Sequence, residues 1–446
     1  MTAAAANWEL RFMRLADVVE RRLVTGEVAL TTLAAEESDF VRFNASKVRQ
    51  IGHVSQGALT LRLIRNERQA YSTLTISGDA HTDDEAIAGT LAALRAALED
   101  ASADPHLLVD TATWTQATRR RGTLPEIESL LSVVERCAAR LDFVGFYAGG
   151  SMARGFASSN GSRGWHELDN FNFSWSLYDA SGRAIKTTYA GEQWSDEVFA
   201  RKVEEAAARM PVLARPARTL APGNYRAWLA PAALAELIGT ASFTAFSARK
   251  QATSRSEFHR LNSGEASLDE RVTLAEDIGL GITPGFSEDG YERETVPLIR
   301  EGRGAQQLTS ARTAREYGLR PNGAPANEMP ISLSMQGGDL ADSDVLAALD
   351  TGLYVGNLWY VNFSDRMDCR MTGMTRFATF WVEHGEIVAP IEAMRFDDSL
   401  YRLLGSELDR IGATPELLLN DSTWGERSTG GLQLPGVLVR GFRLTL

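Results

Sequence analysis

"FVRFNASKVRQIGHVSQGALTLRLIRNERQAYSTLTIS", residues 40–77, decides the fold class. Side chains alternate along it. Leu59, Leu61 and Leu63 fall on one side of an extended chain, because successive side chains in a strand point to opposite faces. Asn66-Glu67 interrupts the pattern with a turn, after which the alternation resumes. The stretch therefore predicts a meander of antiparallel strands.

Outward from this meander, helices and strands succeed one another. Residues 9–25 place Leu10, Met13, Leu15, Val18, Val19 and Leu23 near helical spacing, which predicts an amphipathic helix. Thr82-Asp83-Asp84-Glu85 reads as a capping box at the head of an Ala/Leu-rich helix ending near Asp100. Pro125 opens a helix running through Leu141, since proline lacks only an N–H that the first helical position does not use. "FVGFYAGGSMARGFASSNGSRG" (143–164) and "FNFSWSLYDASGRAIKTTYAG" (171–191) are strands joined by Gly/Asn/Ser turns. A helix starts at Ser195 and ends near Met210. "RPARTLAPGNY" (215–225) is proline-rich and marks a domain boundary within 211–224. The expected domains are 1–215 and 216–446.

The second half begins with "LAPAALAELIGTASF" (229–243), a helix with Pro231 at its start and a core stripe of Leu234, Leu237, Ile238 and Ala241. Strands and loops follow. Glu383-His384-Gly385-Glu386 reads as a tight hairpin turn. One more helix is expected after Asp397-Asp398, and "GVLVRGFRLTL" (436–446) closes the chain as an alternating strand. The fold class is α+β in two domains, antiparallel-strand-rich with flanking helices, the second domain more strand-rich.

Composition narrows the function. The chain has 446 residues, 44% hydrophobic and 23% charged, with a net charge of −12. Nucleic-acid binding would need a local basic patch against that acidity. Arg119-Arg120-Arg121 is the densest basic run, and it reads as a solvated loop, so no direct nucleic-acid binding is expected. Cys137 and Cys369 are the only cysteines. They make no disulfide framework, which fits a reducing compartment. "MTAAAANWELRF" lacks the basic and apolar regions of a secretory signal, and no apolar run approaches the roughly 18–20 residues of a membrane span. The expectation is a cytoplasmic protein with no membrane contact.

Candidate chemistry is sparse. The six histidines are His53, His81, His106, His166, His259 and His384, and no two lie closer than 25 residues. A helix-borne zinc site needs two about a turn apart. His166-Glu167 reads as a strand-end loop and His384 as a turn residue. Cys137 lies on or near the apolar face of its helix and reads as a buried, inert thiol. Cys369 sits among charges in "DRMDCRMTG", where a thiol can be exposed and reactive, but no general base is evident beside it. No phosphate-binding loop is present, since "SNGSRG" and "MQGGD" lack a strand-loop-helix context.

One resemblance gathers these features. "FSEDGYERETVPLIREG" (286–302) is similar to a F-D-x-E-G run followed by threonine and Leu-Ile-x-x-Gly. Phe286, Gly290, Thr295, Leu298, Ile299 and Gly302 match, while Ser287 and Asp289 depart. "MTGMTRFATFWVEHGEIVAPI" (371–391) resembles a Gly-then-strand, E-N-G-x-I-x-x-P block. Glu383, Gly385, Ile387 and Pro390 match, while His384, Met374, Thr375 and Arg376 depart. These blocks, with the early meander and "ASSNGSRG", resemble the TldD/PmbA family, also described as modulators of DNA gyrase.

The resemblance implies two kinds of subunit. The TldD type is a zinc metalloprotease carrying H-E-x-x-x-H and a later cysteine, and the TldE type lacks these ligands and pairs with it. This chain resembles the second type. Ala235 and Thr240 stand where the two histidines would be, around Glu236, and "LLNDSTWGERSTGGLQLPGV" (418–437) contains no cysteine. Alanine offers no donor, threonine is a poor zinc ligand, and about three protein ligands are needed. The expectation is no catalytic residue, no metal and no cofactor in this chain. Its partner would be a TldD-type subunit and its substrate an unfolded peptide or leader peptide. Two other readings remain open. One is a stand-alone enzyme using the emptied cavity, with Cys369, Asp365, Asp368 and Arg370 as candidates. The other is a homodimeric peptide-binding module.

Overall fold

The computed structural model describes residues 7–445. The first half builds one seven-stranded sheet from β1 (Val28–Asn44), β2 (Lys47–Arg65), β3 (Arg68–Thr75), β4 (Thr115–Arg120), β5 (Asp142–Ser158), β6 (Arg163–Tyr178) and β7 (Ala184–Gly191), in the order β3-β2-β1-β5-β6-β4, with β7 also on β6. All pairings are antiparallel except β4 with β6. The predicted meander is β1 to β3, with Asn66 and Glu67 both at positive φ in the β2–β3 turn, the conformation a two-residue hairpin demands.

Alternation separates the two faces of this sheet. In β1, β5, β6, β7 and most of β2 odd-numbered residues point outward, while in β3 the register puts even-numbered Ala70 and Leu74 on that side. Leu33, Leu59, Leu61, Leu63 and Trp165 pack under helices α1 (Trp8–Glu20) and α2 (Ala80–Asp100). Phe43, Phe143, Phe171, Phe173 and Trp175 pack under α3 (Ile127–Ala138) and α4 (Asp196–Leu213). Even-numbered residues such as Leu30, Phe156 and Leu168 point inward and meet Phe286 and Ile282 of the second half. At Gly155 a Cβ would fall 2.7 Å from the Phe12 ring, so glycine there lets α1 sit close to β5.

The second half holds fifteen of the twenty-two described strands, all short, in a nine-stranded and a six-stranded sheet. Strand β8 (Gly223–Leu229) lies inside the nine-stranded sheet between Gly352–Val355 and Val437–Leu444. Helix α5 (Pro231–Ala241) follows it. The hairpin at His384-Gly385 has both residues at positive φ. Among the described residues, no helix is long and apolar enough to cross a membrane.

Four local expectations are corrected. The α2 cap is Asp79, whose carboxylate accepts from Thr82 N at 2.8 Å, while Asp83 turns back to Ser77 and Gly78. Arg119 and Arg120 lie in β4 rather than a loop, and Arg119, Arg120 and Arg121 are paired with Glu9, Glu192 and Glu167. His166 and Glu167 lie within β6, with His166 buried. Asp397 and Asp398 belong to the strand Arg395–Ser399, and only a single π-helical turn, Arg402–Ser406, follows it. For the arginine run, charge suggested exposure and distant carboxylates supplied pairing instead.

Candidate functional site

The expected site sits on α5. Proline at its first position presets the backbone, and Ala230 N anchors the start by donating to Val355 O at 3.0 Å. Ala233, Leu234, Leu237, Ile238 and Ala241 are buried in the core of the second half. The opposite face, Ala235, Glu236, Gly239 and Thr240, lines a cleft of about 910 Å³. A Cβ built at Gly239 would meet nothing within 4 Å. This face therefore opens on solvent-filled space while the other face holds the core.

The cleft runs between the two halves. Its far wall comes from Thr187, Thr188 and Lys186 on β7 and from Lys202 and Arg209 on α4. The C-terminal stretch closes one side through Asn420, Asp421, Ser428 and Gly430. Arg427 holds that stretch in place. Its buried guanidinium donates to Asn170 Oδ1 at 2.5 Å and to Asn170 O at 3.0 Å, and its backbone N donates to Glu36 at 3.4 Å. Burial pushes the Arg427 pKa down to about 10, so the group stays charged at neutral pH.

Electrostatics in the cleft are mixed. Burial raises the Glu236 carboxyl above the ordinary range, Lys186 opposes the shift, and Asp421 adds to it. Lys202 pairs with Glu416 at 2.7 Å. Arg209 lies over the Tyr354 ring at 4.8 Å. Thr240 Oγ1 donates to Glu236 O at 2.8 Å, so its hydroxyl proton is committed to the helix backbone.

These residues do not fit zinc. Ala235 has no donor atom, Thr240 is turned to the backbone, and Glu236 alone offers a carboxylate from the helix. Among the described residues, no three His, Cys, Asp or Glu side chains form a group able to hold a metal.

The other candidates lie elsewhere, and none of them lines the cleft. Cys369 is fully buried in the turn before strand Arg370–Met374, and burial together with Glu257 pushes its thiol pKa well up. Asp365 accepts from Met367 N at 2.9 Å, Asp368 pairs with Arg260 at 2.9 Å, and Arg370 faces Asp397 at 3.8 Å. Cys137 is half-buried and its thiol is likewise raised by burial. In "GLYVGNLWYVNF" (352–363), Leu353, Val355 and Leu358 are core, whereas Trp359 and Tyr360 are 40% and 72% exposed. Sequence reasoning missed Arg427 and Lys186, which carry no motif and acquire meaning only from what they face.

Comparison with known proteins agrees with this architecture. Residues 222–446, half of the chain, match the model for the PmbA/TldA metallopeptidase C-terminal domain. No curated protein sequence matches the chain. Three solved structures share the fold. TldE from Thermococcus kodakarensis has a TM-score of 0.77 at 14% identity, covering 98% of this chain and 100% of that one. A candidate modulator of DNA gyrase from Bacteroides thetaiotaomicron has a TM-score of 0.75 at 15% identity, covering 98% of each chain. A candidate modulator of a DNA gyrase from Thermotoga maritima has a TM-score of 0.74 at 14% identity, covering 98% of this chain and 100% of that one. With the family model matched over half the sequence and the fold shared along its length, this chain belongs to the TldD/PmbA family.

Proposed function

We propose that this chain is the non-catalytic, TldE-like subunit of a two-subunit zinc metallopeptidase. One observation carries the reading: the cleft face of α5 presents Ala235 and Thr240 around Glu236, a cleft-facing helix with one carboxylate and no histidine or cysteine. The partner supplies zinc and the cleavage step. This chain supplies a wall of the substrate chamber, built from its two domains, 1–215 and 216–446, in the cytoplasm. The substrate is an unfolded or leader peptide in extended form, for which a strand-rich cleft offers backbone pairing that tolerates varied side chains. The likeness to a protein described as TldE supports the assignment. No observation favours the stand-alone enzyme, because Cys369 has no cavity beside it.

The test is reconstitution. Mixing the chain with a TldD-type partner gives a complex on size-exclusion chromatography and peptide cleavage that neither chain shows alone. Chelator-resistant cleavage by the isolated chain, lost in Cys369→Ala, would overturn the proposal.

A further inference from the structure

The inner face of the first sheet continues past the cleft. Its far end stays open as a hollow of about 420 Å³. Strand register defines the floor. Arg42 on β1 lies opposite Phe146 on β5, which faces Ser174 on β6, which faces Thr188 on β7. The next row runs from Val144 to Ser176 to Lys186. Arg49 is placed beside Arg42 by a bulge in the β1–β2 pairing, a device that re-aims a side chain.

Arg42, Arg49 and Lys186 therefore rim a floor that carries Val144, Phe146, Ser174 and Ser176. All three are exposed, and no carboxylate lines the hollow. Arg42 rests over the Phe146 ring at 5.6 Å. This runs against the balance of the whole chain, whose net charge is −12. It also contrasts with the run Arg119–Arg121, in which each cation has an acidic partner. Arg42 and Arg49, side by side without an acidic partner, repel each other, and an anionic ligand relieves that repulsion. Ser174 and Lys186 line both the hollow and the cleft, so the two are continuous.

We propose that this open basic face binds an acidic stretch of the extended peptide whose neighbouring residues occupy the cleft. The inference rests on the peptide-cleft reading above and adds the substrate's charge. Arg42 and Lys186 are three inter-strand spacings apart, roughly 15 Å, which an extended peptide crosses in about four or five residues. A nucleic acid fits less well. The acidic chain, with its net charge of −12, repels a long polyanion.

The experiment uses the full chain and three fluorescein-labelled peptides of equal length and equal apolar content. One carries an Asp-Ser block, one an Asn-Ser block and one a Lys-Ser block. By fluorescence anisotropy the acidic peptide binds about tenfold tighter than the neutral one at low salt, as a few exposed ion pairs allow. The preference shrinks as salt shortens the screening length. It disappears in Arg42→Gln/Arg49→Gln/Lys186→Gln, whose far-UV circular dichroism stays that of the parent. Equal binding of acidic and neutral peptides overturns this inference and leaves the cleft reading standing. Retention of the preference in the triple variant also overturns it. Binding of none of the three peptides overturns both. A single-stranded oligonucleotide of matched charge that binds as tightly as the acidic peptide replaces it with general polyanion binding.

Discussion

At position 236 a half-buried carboxylate faces the cleft from α5. Its pKa is raised chiefly by burial, so the ionised form is penalised in the folded chain. The stability cost is absent below the ordinary carboxylate pKa, grows through the interval up to the raised folded value, and is fully present above it. Glu236→Gln should therefore raise the Tm at neutral pH and leave it unchanged near pH 4, roughly where an ordinary carboxylate is protonated. A thermal melt at both pH values checks this, and an equal gain at both would show that packing rather than ionisation is responsible. Restoring histidines is a sharper trial. Side chains five apart lie about 140° apart on an ideal helix, and among the described residues no three His, Cys, Asp or Glu side chains already form a group able to hold a metal. Ala235→His/Thr240→His should hold no stoichiometric zinc and cleave no peptide. Metal analysis showing one zinc per chain, with chelator-sensitive cleavage, would reveal a ligand that this structure does not bring there.

Elements owe their places to a few anchors. The segment 420–430 has no ladder of its own between strands Glu416–Leu419 and Gly431–Leu434. It is held instead by Arg427, plugged into the inner face of the first sheet at Asn170. Arg427→Ala removes the guanidinium from Asn170, Ser38 and Gly150 and should cost about 2–3 kcal/mol in denaturant unfolding. Cleavage by a protease within 420–430 should also accelerate, since Trp424 already stands 95% exposed at the tip. An unchanged nicking rate would mean that other contacts hold the segment. The strand Trp359–Asp365 is the opposite case. It is an edge of the nine-stranded sheet, with one neighbour and an exposed aromatic start. Unpaired edges invite another chain, and aromatics are common interface anchors. On the proposed partnership, Trp359→Ala/Tyr360→Ala should weaken the complex at least tenfold in a titration while leaving the monomer's Tm within about a degree, because exposed substitutions seldom exceed ~0.5 kcal/mol. A complex of undiminished affinity would move the interface elsewhere.

For the molecule as a whole, the cleft depends on how firmly the halves are joined. Arg62 pairs with Asp289, Trp114 Nε1 donates to Gly290 O at 2.7 Å, and Trp114 stacks on Phe286 at 5.9 Å. Phe286 and Gly290 are among the residues that carried the family resemblance, and their visible task is to fasten the second half onto the first sheet. Lys202 to Glu416 adds a tie on the cleft side. The cleft is thus tied at both ends.

How much could be read from the sequence follows from the range of each interaction. Strand alternation is set by backbone geometry and needs no distant partner, so β2, β3, the Asn66-Glu67 turn and the closing strand Val437–Leu444 were legible, whereas residues 28–39 of β1 were not read as strand. The chemistry missing at Ala235 and Thr240 was legible too, because a side chain without a donor lacks one in any fold. Charge and burial were not. Whether Arg119–Arg121 sits in solvent or in ion pairs, whether His166 is covered, and whether Cys369 is reachable depend on residues tens to hundreds of positions away. The sequence by itself determined the strand periodicity, the α+β class and the lack of histidine and cysteine on α5. Only the tertiary structure decided that α5, the C-terminal stretch and β7 enclose one cleft, and that Arg42, Arg49 and Lys186 share one face without an acid among them. That difference is physical: periodicity is a property of the local chain, whereas a site is made by non-local packing that sets which charges are neutralised and which are left facing water.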